Sequence, residues 1–265
     1  HPGTGHWSER PELSAFCQEL GLAALTPSAR CQTLFSSPLQ LLEFAEERGI
    51  SHLVASFEPV QSVREVLAVV REKDLSFPIV LKNISHGLGF GLMVAKSEEE
   101  LALRLPRWVE ELREVSGEAT LFIESYVEAA RAVEVPFVRY VDGRVRMLPR
   151  VDVSLKLRGR GYVEFCPAEG IEHGLARHFD QAVRRLSKDS VFVGVGSLEF
   201  MCEGSRAWLV GGRASLPSSF PLWEKVGGLS GVSLQLAAFG MLPGDGDSER
   251  EGIAAGVLAR IYSED

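Results

Sequence analysis

The sequence predicts a mixed α/β (α+β) protein, in which helices alternate with strands through the first half and an antiparallel sheet forms the second. Three observations carry that expectation. Apolar residues recur at helical spacing in several stretches, each followed by a short β-rich run. Gly21 and Gly49 close the first two of these stretches, as glycines after a helix do. Asp142 and Gly143 lie between two strand-like segments, a strong hairpin signal.

Taken in order, Leu13, Phe16, Cys17 and Leu20 place a helix over residues 11–21, followed by an apolar segment at 22–25. A second helix ends before Gly49 and leads to a short strand at 51–55. A third, over 62–73, runs into the strand 77–82, which ends at Lys82 and opens onto a Gly-rich loop. The amphipathic helix 97–115 precedes a strand at 120–124. Beyond it the pattern turns antiparallel, with strands on both sides of Asp142 and Gly143. A helix near 175–186 then precedes a strand that carries Glu199, and residues 203–205 turn the chain back. This order predicts three pieces: an α/β segment over 1–54, a small lobe over 55–126 and a larger sheet-based lobe over 127–265. A nucleotide-sized cleft is expected between the two lobes.

The chain has 265 residues, 45% hydrophobic and 24% charged, enough to bury a substantial core. A net charge of −8 argues against a general nucleic-acid or membrane-surface binder, which would carry a Lys/Arg excess. The four cysteines lack CxxC spacing, so neither a zinc site nor a disulfide framework is signalled, and reduced thiols in a cytoplasm or organelle matrix are expected. No apolar run reaches the roughly 18 to 20 residues of a membrane span. Because the chain opens on His1, it reads as starting inside a longer protein.

Two positions suggest chemistry on their own. Lys82 ends a buried apolar strand beside Gly87, Gly89 and Gly91, where a cation and closely approaching backbone N–H groups could hold phosphate oxygens. An exposed lysine before a flexible loop fits the same letters. Glu199 is a carboxylate inside an apolar strand, a placement that calls for a partner or a metal unless it faces water.

Several segments together resemble the biotin carboxylase family of the ATP-grasp superfamily, nearly end to end. HPGTGHWSE (1–9) is similar to the family's His-Pro-Gly-x-Gly-x-x-Ser-Glu turn. FPIVLK (77–82) with GLGFGLMV (87–94) resembles its lysine strand and glycine flap, and LFIESYV (121–127) its hinge. Residues 150–168, GVGSLEF (194–200), QLAAFG (235–240) and ARIYSED (259–265) follow in the family's order. The resemblance implies an ATP-grasp fold, with a small mobile lobe and a larger antiparallel one after the tail of a nucleotide-fold domain. It implies that Lys82, Gly87, Gly89, Gly91, Glu124, Tyr126 and Glu134 surround ATP, that Glu199 binds Mg2+, and that Arg213 and Arg260 hold bicarbonate and the carboxylation intermediate.

The chain also departs from that pattern. LVGGR (209–213) stands where the family reads Glu-x-Asn-Pro-Arg, so Leu209 and Gly211 replace two oxygen ligands. ASLPSSFP (214–221), two residues longer, replaces the stretch with the general base, and neither Pro217 nor a serine can stand in for a carboxylate. Pro38 and Gly161 replace lysines, Phe90 a basic flap residue and His86 a glycine; Pro38 reads as the first residue of a helix capped by Ser37. The expectation is therefore a degenerate biotin carboxylase-like domain with a structural or regulatory role in a biotin-dependent carboxylase, binding ATP and Mg2+ weakly or not at all. Expected partners are the other domains or subunits of that assembly, with a homo-oligomer as a further option and neither nucleic acid nor membrane. Two alternatives stay open: a divergent active carboxylase acting on biotin held by a carrier, and an ATP-grasp ligase for another carboxylate.

Overall fold

A computed structural model describes residues 10–22, 24–84, 91–128, 130–157, 160–244 and 251–260. Three helices come first: α1 (Pro11–Glu19), α2 (Ala29–Ser36) and α3 (Pro38–Glu46). Proline in the first turn starts α1, and serine caps start α2 and α3. Ser28 Oγ accepts from Cys31 N at 3.3 Å, and Ser37 Oγ accepts from Gln40 N at 3.4 Å. Pro38 occupies the first turn of α3, where its missing N–H costs nothing, in accord with the sequence reading. The expected apolar segment at 22–25 forms no strand among its described residues. Side chains hold this region instead: Ser14 Oγ lies 2.6 Å from both Thr26 Oγ1 and Gln32 Oε1, all three residues buried.

The expected strand at 51–55 begins later, as β1 (Val54–Val60), because the preceding backbone is used differently. Leu209 N donates to Ser51 O and Ser125 N donates to Leu53 O, both at 2.8 Å. The chain continues through α4 (Val63–Glu72), β2 (Ile79–Asn83), β3 (Leu92–Ala95), α5 (Glu98–Ser116) and β4 (Leu121–Ser125). Ser62 caps α4 and Ser97 caps α5, while Glu100 reaches back to Lys96 N at 2.9 Å. The strands form one antiparallel sheet in the order β1-β4-β2-β3. Val66 and Val70 of α4 and Leu101, Leu105, Val109 and Leu112 of α5 pack on Ile79, Leu81, Leu121 and Ile123.

A second antiparallel sheet is built from β5 (Arg131–Arg139), β6 (Val145–Met147), β7 (Val151–Leu157), β8 (Arg160–Cys166), β9 (Gly194–Glu203), β10 (Arg206–Arg213) and β11 (Gly256–Ala259). Its order is β10-β9-β5-β7-β8-β11, with β6 pairing on β5. Gly143, at φ +89°, turns the β5–β6 hairpin, which matches the Asp-Gly signal. The helices α6 (His173–Asp189), α7 (Phe220–Gly227) and α8 (Gly231–Ala238) complete the chain. No helix among the described residues is long and apolar enough to cross a membrane.

Alternation along β9 sorts side chains onto two faces. Leu198, Phe200 and Cys202 join the core shared with Cys31 and Phe35 of α2, Leu41 and Leu42 of α3 and Phe179 of α6. Val195 and Met201 join a second core with Trp223 of α7 and Leu234 of α8. Each fully buried large side chain contributes about 1.5–3 kcal/mol. The same alternation puts Ser197 and Glu199 on the second face, which positions the site.

Candidate nucleotide site

Lys82 and Glu124 come together on the four-stranded sheet. Their strands β2 and β4 are neighbours, with Val80 opposite Glu124 and Lys82 opposite Phe122, so the two side chains meet on the diagonal. Lys82 Nζ lies 2.6 Å from Glu124 Oε2. Glu124 is only 2% exposed, and its Oε1 has no hydrogen-bond partner among the described residues. A buried carboxylate with one open oxygen beside a lysine is suited to receiving a polar ligand. Tyr126, just past β4, is exposed.

Gly91 ends the glycine loop and has a structural reason to be glycine. A Cβ there would come within 2.9 Å of Asn83 Cβ, where Asn83 N donates to Gly91 O at 2.7 Å. Gly87 and Gly89, with His86 and Phe90, lie outside the described residues, as do residues 1–9 and 261–265.

A second group forms on the seven-stranded sheet. Glu134 of β5 stands opposite Glu199 of β9, and Arg213 of β10 stands opposite Ser197. Glu134 is buried; its Oε1 accepts from Ser197 Oγ at 2.9 Å and its Oε2 from Ser219 Oγ. Burial pushes the Glu134 carboxyl above the usual carboxylate range. The Ser219 hydroxyl, the Arg213 charge and the Ser197 hydroxyl oppose that shift, and the charge of Glu199 adds to it.

The bulge in β10 decides what surrounds Glu199. The register shifts between Leu209 and Gly211, so Leu209 pairs with Phe200 and Gly211 with Glu199. Leu209 is 0% exposed and belongs to the core that α2 and α3 cover. Sequence reasoning treats Leu209 as a ligand position that lost its oxygen; its side chain instead packs in that core. A Cβ at Gly211 would meet nothing within 4 Å. Among the described residues, no group of three or more His, Cys, Asp or Glu side chains could hold a metal ion.

Arg260 follows β11 and forms a fork with Glu164 of β8, from Nη1 to Oε1 and from Nη2 to Oε2, the latter at 3.0 Å. Its Nη2 also donates to Ser218 O at 2.7 Å. The partners Ser197, Ser219, Glu164 and Ser218 were not identified from sequence. Serine and glutamate letters in strands and loops carry no local signal of a tertiary partner. Lys82 and Glu124 thus lie on one sheet and Glu134, Glu199, Arg213 and Arg260 belong with the other, with the backbone of residues 51–54 bonded to both.

Residues 43–239 match the family described as carbamoyl-phosphate synthase L chain, ATP binding domain, which is most of the chain. The chain belongs to that family. Within it the relatives are biotin-dependent carboxylases. Pyruvate carboxylase 1 of Caenorhabditis elegans is 26% identical over 237 residues, which is 89% of this chain and 20% of that protein. Biotin carboxylase 1 of Bacillus subtilis is 24% identical over 238 residues, 89% of this chain and 52% of that protein. The matched part of this chain therefore spans about a fifth of the length of the first and about half of the second.

Among solved structures, the biotin carboxylase domain dimer of Hydrogenobacter thermophilus 2-oxoglutarate carboxylase, in complex with MgADP, ADP and bicarbonate, superimposes with a TM-score of 0.86. It is 21% identical, over 98% of this chain and 57% of that one. The Campylobacter jejuni biotin carboxylase β,γ-ATP complex gives the same TM-score of 0.86 at 20% identity, covering 99% of this chain and 59% of that one. The fold of this ATP-grasp domain is that of biotin carboxylase.

Proposed function

We propose that this is a biotin carboxylase-type ATP-grasp domain that has lost carboxylase chemistry, keeps weak nucleotide binding, and serves a structural or regulatory part in a biotin-dependent carboxylase. The observation that carries this reading is the surroundings of Glu199. Its neighbour on β10 is Gly211, and Leu209 is committed to the core. Its neighbour on β5 is Glu134, whose two oxygens are engaged by serine hydroxyls. A hard divalent ion needs several oxygen ligands, and this donor set does not fit Mg2+.

A nucleotide fits the other sheet better. Lys82 would hold phosphate oxygens, and Glu124, with an open oxygen, would hold a donor group of the base or ribose. Lys82 must then give up part of its bond to Glu124, which lowers the affinity it can provide. Tyr126, and Gly91 at the end of the flap, belong to the same proposed nucleotide end. Without a bound metal the chain lacks a group that typically contributes several kcal/mol to phosphoryl transfer. We take residues 1–54 as the end of a preceding domain, 55–126 as the small lobe and 127–265 as the large one. Partners on this reading are the other domains or subunits of the assembly, in a cytoplasm or organelle matrix that keeps the cysteines reduced.

Retention of Lys82 paired with buried Glu124, of Arg260 paired with buried Glu164, and of Arg213 near Glu134 favours a second reading, a divergent active carboxylase. The two are separated by bicarbonate-dependent ADP release from Mg·ATP in the presence of a biotinylated carrier protein. The loss of chemistry predicts none above background; release that requires both bicarbonate and carrier would establish the second reading.

A further inference from the structure

The arginine half of the site is engaged by consecutive residues of a single segment. Between the end of β10 and the start of α7 the chain runs from Ala214 to Ser219, and every residue there except Ser218 is buried. Ser218 presents its carbonyl to Arg260, which also bonds Glu164. Ser219 donates its hydroxyl to Glu134, beside Arg213. Leu216 anchors the segment in the core with Leu222 and Trp223. Ser215 Oγ is buried there without a hydrogen-bond partner among the described residues. A carbonyl oxygen and an oxyanion compete for the same guanidinium donors, and here the carbonyl comes from the chain itself.

We propose that residues 215–219 form a plug: they occupy Arg260 and Glu134, and a bicarbonate-sized oxyanion reaches Arg213 and Arg260 only when this stretch is displaced. The inference rests on reading those two arginines as the anion-binding pair. It adds a cause of inactivity separate from the ligands missing around Glu199.

The test follows isotopically labelled bicarbonate by NMR line broadening, together with hydrogen exchange of residues 214–222, on the 265-residue chain. The unmodified protein should show slow exchange there and no binding. Ser219→Ala removes one anchor and should speed exchange in this stretch about tenfold, with bicarbonate binding appearing alongside. Ser218→Gly loosens the same backbone at an exposed position and should act likewise, the near-UV signal of buried Trp223 reporting that the fold is kept. Binding to the unmodified protein with the stretch still protected overturns the plug, as does faster exchange in both variants without any gain in binding. Turnover with Mg·ATP accompanied by deprotection of residues 214–222 would support the plug as a gate while overturning the loss of chemistry, so the two claims fail separately.

Discussion

Glu134 stands directly opposite Glu199 across the β5–β9 pair, so two carboxylates share one face of the large sheet. Like charges in that position destabilise a sheet, and burial of Glu134 makes its ionised form costlier still.

A pH dependence follows from the raised Glu134 carboxyl. A group whose pKa is higher in the folded state stabilises the fold fully below its ordinary range and loses that contribution as pH rises through the raised value. Glu134→Gln keeps a partner for both serines and removes the titration. The variant should therefore gain stability relative to the unmodified protein as pH rises above the ordinary carboxylate range, read as the difference in urea midpoints. A flat difference would show that Glu134 titrates normally, and one that shrinks with pH would show that its carboxyl is lowered instead.

Restoring family-like ligands on β10 should have opposite outcomes at two positions. Leu209→Glu puts a carboxylate into the core beside α2 and α3 and should cost roughly 3–5 kcal/mol in denaturant unfolding. Gly211→Asn has room for its side chain and should change stability by about 1 kcal/mol or less. Equal tolerance of both would mean that Leu209 does not face the core.

The Lys82–Glu124 pair invites a double-mutant cycle. Lys82→Met leaves a buried carboxylate without its cation and should destabilise by roughly 3–5 kcal/mol. Adding Glu124→Gln should recover more than about half of that loss, because the stranded charge is gone. Additive losses would argue that the two side chains are not coupled.

Thiol labelling tests the packing. Burial pushes the thiols of Cys31 and Cys166 up to about 12 and that of Cys202 to about 11, while Cys17 is only half-buried. Mildly alkaline iodoacetamide should modify Cys17 alone in the folded protein and all four cysteines after denaturation, counted by mass spectrometry.

What was legible in the sequence was local. Ser37, Ser62 and Ser97 mark helix starts because a cap needs only its own next few residues, and Asp142 with Gly143 marks a hairpin for the same reason. Helix α2 was missed, since its short stretch shows little apolar periodicity, and the segment at 22–25 was misread because side-chain bonds around Ser14 replace a ladder there. Candidate residues such as Lys82, Glu124 and Glu134 could be named, but not their partners. Ser219 meets Glu134, and Arg260 meets Glu164, only through the sheet order. The bulge that turns Leu209 into the core was equally invisible, as nothing in LVGGR fixes which residue is doubled.

Loss of the metal site is measured by calorimetric titration of the 265-residue chain with ATP, with and without Mg2+. With Gly211 and Glu134 as the strand neighbours of Glu199, the dissociation constant should be about 0.1 mM or weaker. Adding Mg2+ should change it by less than about threefold. Tight binding that collapses when Mg2+ is removed would contradict it.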